Sequence, residues 1–289
     1  MLANVVSPTV PLSVRMKLVD EHAGRVALVT GGASGIGRAV AELLAARGAS
    51  VAVNALRDDE AADAAAAISA SGGSAIPVAA DVSDGPSIAA AVEKTVQAFG
   101  KLDVLVTSAG IQRYGSVADT DEKTWDDVFA VNVKGAYLAA RAAIPHLRRS
   151  GSGAVVLLSS VQARVTQADV AAYSASKAAL NALARSMAVD EARFGIRVNA
   201  VCPGSVDTPM LRASAALFSD GSADGVRRTV EAWGRSHPLG RVAQPAEVAE
   251  VVAFLAGPRA SFVTGTAVLV DGGLLATLSV ALPDDAGTH

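Results

Sequence analysis

Seven short apolar runs, alternating with helical patterns along most of the chain, constrain its fold more than any other feature. The runs are Val26–Thr30, Ser50–Asn54, Ala75–Ala79, Val104–Thr107, Ala154–Ser159, Arg197–Val201 and Ala267–Val270. Several are continuously apolar rather than alternating, which is the pattern of strands covered on both faces. The helical segments between them are Ile36–Arg47, Asp59–Ser71, Pro86–Phe99, Thr124–Arg149, Ala171–Arg193 and Pro245–Ala256. Ser83-Asp84 offers a cap for the third of these, and Gly100 a stop. Alternation of this kind predicts an α/β fold: a doubly wound, Rossmann-type parallel sheet of about seven strands.

The 289 residues show no internal repeat and no linker, so one domain over 21–289 is expected, behind a flexible arm over 1–20 that contains Pro-Thr-Val-Pro. Half of the residues are hydrophobic, enough for a large core. A net charge of −3 gives no basic stripe for a nucleic-acid backbone. Cys202 is the one cysteine, in the strand-like Arg-Val-Asn-Ala-Val-Cys-Pro, and reads as a small core hydrophobe. With one cysteine and four scattered histidines (His22, His146, His237, His289), no metal site is expected. Apolar runs are interrupted well short of the roughly 20 residues a membrane span needs, and the start lacks the pattern of a signal peptide. A cytoplasmic protein without a membrane partner is the expectation.

The first apolar run feeds directly into Thr-Gly-Gly-Ala-Ser-Gly-Ile-Gly, and a helix follows. In a strand–turn–helix setting, such glycines permit a tight turn, let the backbone approach a pyrophosphate, and keep helix and sheet close. The free N–H groups and positive dipole end of the helix add attraction for phosphate. Thr30, Gly31, Ser34, Gly35, Ile36 and Gly37 are therefore candidates for binding a dinucleotide. Farther on, Tyr173 and Lys177 sit four apart in one helical stretch, on one face. A phenol titrating near pH ~10 is a poor acid–base group at neutrality, and a nearby cation favours its ionised form. Lys177 is thus expected to lower the Tyr173 pKa.

With these motifs, over about residues 24–273, the chain resembles the short-chain dehydrogenase/reductase family, in the branch with Thr-Gly-x-x-x-Gly-x-Gly and Tyr-x-x-x-Lys. The resemblance implies a catalytic set of Asn132, Ser160, Tyr173 and Lys177, with Ser160 thirteen residues before Tyr173 at the end of an apolar run. Tyr173 would exchange a proton with the substrate oxygen, Ser160 would hydrogen-bond that oxygen, and Lys177 would serve both Tyr173 and the nicotinamide ribose. Asn132 would hold a water linking Lys177 to solvent. It further implies that Asp81 and Val82 contact adenine, that Ala109 and Gly110 border the cofactor, and that Pro203, Gly204, Val206 and Thr208 face the nicotinamide. Ser108 departs from the family, which usually has Asn there.

Members that prefer NAD usually carry an Asp after the second strand, where this chain has Ala55; without that charge, and with Arg57 near, NADP is favoured over NAD, with dual use open. Substrate candidates are Gln112, Gln162 and Ser205, with Arg113, Arg164 and a lid over about 207–239 that includes Met210, Leu211, Phe218, Trp233 and His237. The amide and guanidinium groups suit a sugar or polyol. A 3-oxoacyl thioester on an acyl carrier protein, for which Phe194 replaces a usual Arg beside Arg193, and a bulky ketone are the alternatives. A non-catalytic NAD(P)-binding sensor would have no use for the four catalytic residues together. The family is commonly a homotetramer, and the apolar tail 274–289 is expected to bury against a neighbouring subunit.

Overall fold

The computed structural model describes residues 21–277; the proposed arm and the tail beyond Thr277 lie outside them. Seven strands form one sheet in the order β3-β2-β1-β4-β5-β6-β7. They are β1 (Val26–Thr30), β2 (Ser50–Ala55), β3 (Ser74–Ala79), β4 (Val104–Thr107), β5 (Ala154–Leu158), β6 (Arg197–Pro203) and β7 (Ala267–Val270), and every neighbouring pair is parallel. All residues of β1, β4 and β5 are buried, as their unbroken apolar runs require. Pro77 lies on β3, an edge strand, where a missing N–H costs the ladder least.

Helices cover both faces. On one lie α1 (Gly35–Ala46), α2 (Asp58–Ala70) and α9 (Pro245–Ala256), which bury Val40, Leu44, Ile68, Val248 and Val252 against the sheet. On the other, α3 (Gly85–Phe99), α5 (Gly135–Ser150) and α6 (Ala171–Glu191) bury Ile88, Val92, Leu147, Ala184 and Met187. Each large aliphatic side chain so removed from water contributes roughly 1.5–3 kcal/mol. The expected cap and stop of α3 are present: Asp84 accepts from Ser87 N at 2.9 Å, and Gly100 closes the helix at φ 82°.

Two segments differ from expectation. The stretch 124–149 is not one helix. It comprises α4 (Glu122–Phe129), started by Asp121 accepting from Thr124 N, then a π-helical turn over Ala130–Lys134, then α5, which stops at Gly151. The stretch expected as a lid holds two helices, α7 (Pro209–Leu217) and α8 (Ala223–Gly234), separated by the Asp-Gly turn at 220–221. Thr208 and Ser222 cap them by accepting from Leu211 N and Gly225 N. The small residues of α5 and α6 allow close packing within the chain: Ala139, Ala140, Ala143, Ala172 and Ala184 are buried.

Candidate active site

The strand order reverses between β1, which runs outward to β2 and β3, and β4, which starts the other half. A crevice therefore opens beyond the carboxyl ends of β1 and β4. The turn after β1 fills it so tightly that only glycine fits. Gly31 has φ 63°, and a methyl group there would stand 2.7 Å from the Ala109 nitrogen. At Gly37 the same methyl would lie 2.2 Å from the Gly31 carbonyl oxygen. Buried Thr30 accepts from Ala109 N through Oγ1, at 3.4 Å. Ser34 occupies the cap position of α1 without a side-chain cap bond, and no acidic residue stands in the first turn. The N–H groups after it, at Gly35, Ile36 and Gly37, are thus left for an anion, and the cradle fits a pyrophosphate.

At the end of β2, Ala55 is buried and the Asn54 amide donates to the carbonyls of Val78 and Ala80, tying β2 to β3. Arg57 is exposed and already engaged: Asp59 takes it through two bonds at 3.0 and 2.6 Å, and Glu60 lies at 3.6 Å. Asp81 is engaged too, accepting from Ser83 N and Oγ at 2.8 and 2.7 Å. Val82 is buried under Gly135, where a methyl would come within 2.8 Å of it.

Beyond β5 the groups of the second motif converge. Ser160 Oγ accepts from Gln162 N at 3.1 Å, which leaves its own hydrogen free to donate. Tyr173 borders the same cavity as Ser160. Lys177 is buried one turn along α6, donates to the Leu158 carbonyl at 2.8 Å, and sits 5.4 Å from the centre of the Tyr173 ring. Asn132 is held in the π-helical turn, a distortion that brings its amide against the strand-four loop. It accepts from Ile111 N at 2.8 Å, and both amide hydrogens are used, on Ile111 O and Ser176 Oγ at 3.0 Å each. A methyl at Gly110 would lie 3.3 Å from Asn132 Oδ1 and 3.6 Å from Lys177 Nζ, so these groups share one corner.

The expected lowering of the Tyr173 pKa is corrected. Removal from water pushes the phenol up to about 12, against the pull of the Ser160 hydroxyl, and Tyr114 adds to the rise. Burial likewise pushes the Lys177 ammonium down to about 8. Loss of water is the largest cause of both shifts.

Ser160 and Tyr173 line a cavity of about 560 Å³. Gln112, Gln162, Ser205, Ile36, Pro203, Gly204, Val206 and Thr208 all border it, as do Met210, Leu211, Trp233 and His237 from the segment after β6. Arg113 and Arg164 do not; they turn to the carbonyls of Gln112 and Ala267. Phe218 stands behind the wall, edge-on to Tyr114 and to Trp233. The wall residues Tyr114, Thr166 and Gln167, and Leu274 and Leu275 after β7, carried no sequence motif.

His237 has a structural task that the sequence did not disclose. It is buried, and its Nε2 accepts from Ser205 N at 3.1 Å while Nδ1 donates to Trp233 O at 3.1 Å. It wedges against Gly204, where a methyl would be 2.7 Å from Nε2. One imidazole therefore joins the Pro203–Val206 loop to the end of α8. A second clamp sets the start of α6: Gly115 N donates to Asp169 O at 2.7 Å, and Asp169 takes the left-handed φ of 59°.

Comparisons with known proteins agree along nearly the whole chain. A family model described as enoyl-(acyl carrier protein) reductase matches residues 31–275. Cis-4-hydroxycyclohexanecarboxylate dehydrogenase of Sinomonas cyclohexanicum is 45% identical over 258 residues, which is 89% of this chain and 99% of that protein. A 2-(S)-hydroxypropyl-CoM dehydrogenase of Xanthobacter autotrophicus is 40% identical, over 87% of this chain and 96% of its own. The ligand-free structure of Thermoplasma acidophilum aldohexose dehydrogenase superposes with a TM-score of 0.84 at 35% identity, covering 92% of this chain and all of that one.

Proposed function

The chain belongs to the short-chain dehydrogenase/reductase family and is an oxidoreductase, and from that premise we propose that it moves a hydride between a nicotinamide dinucleotide and a secondary alcohol or its ketone. The observation that carries this reading is that Tyr173 and Ser160 line one cavity, with Lys177 buried beside Tyr173 and Ile36 of the glycine turn on the same lining. A non-catalytic sensor would not need a proton donor and a hydroxyl donor on one cavity.

The cofactor would be held by Thr30, Gly31, Ser34, Gly35, Ile36 and Gly37 at its pyrophosphate, by Asp81, Val82, Ala109 and Gly110 along the adenosine side, and by Pro203, Gly204, Val206 and Thr208 at the nicotinamide. When bound it supplies or takes the hydride, and its oxidised form carries positive charge into the cavity. Tyr173, protonated in reduction, gives its proton to the carbonyl oxygen; in oxidation it would act as the phenolate, favoured by the Lys177 cation and the charge of the oxidised cofactor, and take one from the hydroxyl. Ser160 directs its free O–H at the same oxygen and stabilises charge there. Lys177 spends one hydrogen on Leu158 O and keeps two for the ribose and the phenol side. Asn132 acts as a positioning residue: with both amide hydrogens spent, only a lone pair on Oδ1 remains for a relay water.

For the finer points, the reading favours NADP over NAD, because no carboxylate occupies the Ala55 position and the exposed pairs of Arg57 are cheap to exchange for a phosphate. The neutral amides and hydroxyls of the cavity favour a sugar or polyol. Arg193 gives little support to docking of an acyl carrier protein at this mouth: it stacks on Phe194, before β6 begins, at the opposite end of the sheet. A homotetramer is proposed, supported by the apolar β7 edge and by Phe262, which is fully exposed; sedimentation as a monomer at micromolar concentration would contradict it. The cytoplasm, where the free cofactor is, is the proposed location, and recovery from another cell fraction would contradict that.

The test crosses NAD and NADP with sugars, polyols and cyclic secondary alcohols, and the reduced cofactors with ketones and acyl thioesters, following nicotinamide absorbance. Cofactor reduction by an alcohol, with NADP the better cofactor, is expected. Turnover confined to oxoacyl thioesters would replace the substrate class, and turnover with nothing would refute the dehydrogenase reading.

A further inference from the structure

The cavity lining is of two chemical kinds. Tyr114 from the loop after β4 and Trp233 from α8 are both met edge-on by Phe218, at 5.0 Å and 77° and at 6.2 Å and 71°. The three rings thus form one aromatic cluster, of which Tyr114 and Trp233 border the cavity. Gln112, Gln162, Thr166 and Gln167 contribute neutral amides and a hydroxyl. Tyr173 and Ser160 line the same space.

Charge near this space is satisfied elsewhere. Arg113 turns to the Gln112 carbonyl and Arg164 to that of Ala267 on β7. Asp207 holds Arg212 by two bonds of 2.7 Å each. Asp271 accepts from Gly273 N and Leu275 N at 3.0 and 2.9 Å. Among the described residues, no Asp, Glu, Lys or Arg lines the cavity, and both nitrogens of its one imidazole, His237, are engaged by Ser205 N and Trp233 O. A carboxylate on the ligand, placed away from the reacting carbon and the nicotinamide, would therefore lose water and meet no Lys or Arg in the lining.

We propose that the substrate is an uncharged, ring-shaped secondary alcohol or the corresponding ketone, packed on Tyr114 and Trp233 with its substituents hydrogen-bonded by the glutamine side chains. This deepens the dehydrogenase reading and rests on it. A flat-sided ring covers both aromatic faces at once, whereas an open chain must give up rotational freedom to do the same. It also sets this chain apart from its 45%-identical relative, whose name states a carboxylate-bearing ring.

The test measures kcat/KM for cyclohexanol, cis-4-hydroxycyclohexanecarboxylate, the methyl ester of that acid, and 2-hexanol. The expected result is that the ester exceeds the free acid by about 100-fold or more, because a buried ionised group is left without a partner. Cyclohexanol should exceed 2-hexanol by about tenfold, and Trp233→Leu should erase that preference. Gln167→Arg, at an exposed position on the cavity rim, should raise the acid-to-ester ratio of kcat/KM at least about tenfold, because it supplies the cation that the lining lacks. Quenching of tryptophan fluorescence by cyclohexanone, absent in Trp233→Phe, reads binding without turnover.

Equal use of acid and ester overturns the claim about charge, and equal use of ring and open chain overturns the claim about shape. If only these two comparisons fail while some alcohol still reduces the cofactor, the dehydrogenase reading stands. If no alcohol reduces the cofactor and cyclohexanone does not quench, both fall.

Discussion

Tyr173 and Lys177 stand one helical turn apart, and burial works against the charged form of each. Tyr173 is pushed up to about 12 and Lys177 down to about 8. The spacing of the two residues was legible; their desolvation was not, because it depends on what β5 and the strand-four loop bring around them. Arg57 makes the same point. Its position near the end of β2 was plain, whereas its capture by Asp59 and Glu60 depends on the geometry of the first turn of α2. His22 supplies a pH effect remote from the site. Burial, reinforced by Arg25, holds it down to about 4 from 6.5, so it folds neutral, with Nε2 on the Ala253 carbonyl. The unfolded chain then binds a proton that the folded chain refuses. The contribution of His22 is complete above pH 6.5 and is lost as pH falls toward about 4. Its ceiling is roughly 3 kcal/mol. Denaturant midpoints measured across this window should fall in the wild type and fall less in His22→Gln, which keeps a donor for Ala253; parallel slopes would contradict the assignment.

At the scale of elements, what was legible followed local chemistry. β1, β4 and β7 have the bounds their apolar runs predict, and α3 has its Asp84 cap and Gly100 stop. The π-helical turn at Ala130–Lys134 left no local mark, since Asn132 is drawn to Ile111 and Ser176, neighbours only in the fold. The helices α7 and α8 did carry signals, Thr208-Pro209 and Ser222 at their starts, but each is short and the turn between them dominated the reading. His237 joins α8 to the Pro203–Val206 loop, and its importance depends on those two elements meeting. Its loss leaves Ser205 N without its acceptor, removes the side-chain donor from Trp233 O, which keeps Ser236 N, and frees a loop proposed to face the nicotinamide. His237→Ala should raise the KM for cofactor about tenfold, with a smaller effect on kcat. His237→Gln, which can still accept from Ser205 N, should recover part of that loss. An unchanged KM in the alanine variant would show that the loop stays in place without the imidazole.

At the scale of the molecule, the parallel sheet with helices on both faces puts the glycine turn, the β5 hydroxyl and the face of α6 at one carboxyl-end crevice. Residues from distant parts of the sequence become one site because each follows a strand ending there. The wall that selects the substrate was hardest to read for the same reason: Tyr114, Gln167 and Leu275 belong to separate loops and share no spacing. The central claim is that Tyr173 exchanges the proton that accompanies hydride transfer. It is tested most directly by following nicotinamide absorbance with the best alcohol for the wild type and for Tyr173→Phe, alongside cofactor binding by fluorescence. The variant should lose about a hundred- to ten-thousand-fold in turnover and bind cofactor as before. Turnover retained in Tyr173→Phe would contradict the account.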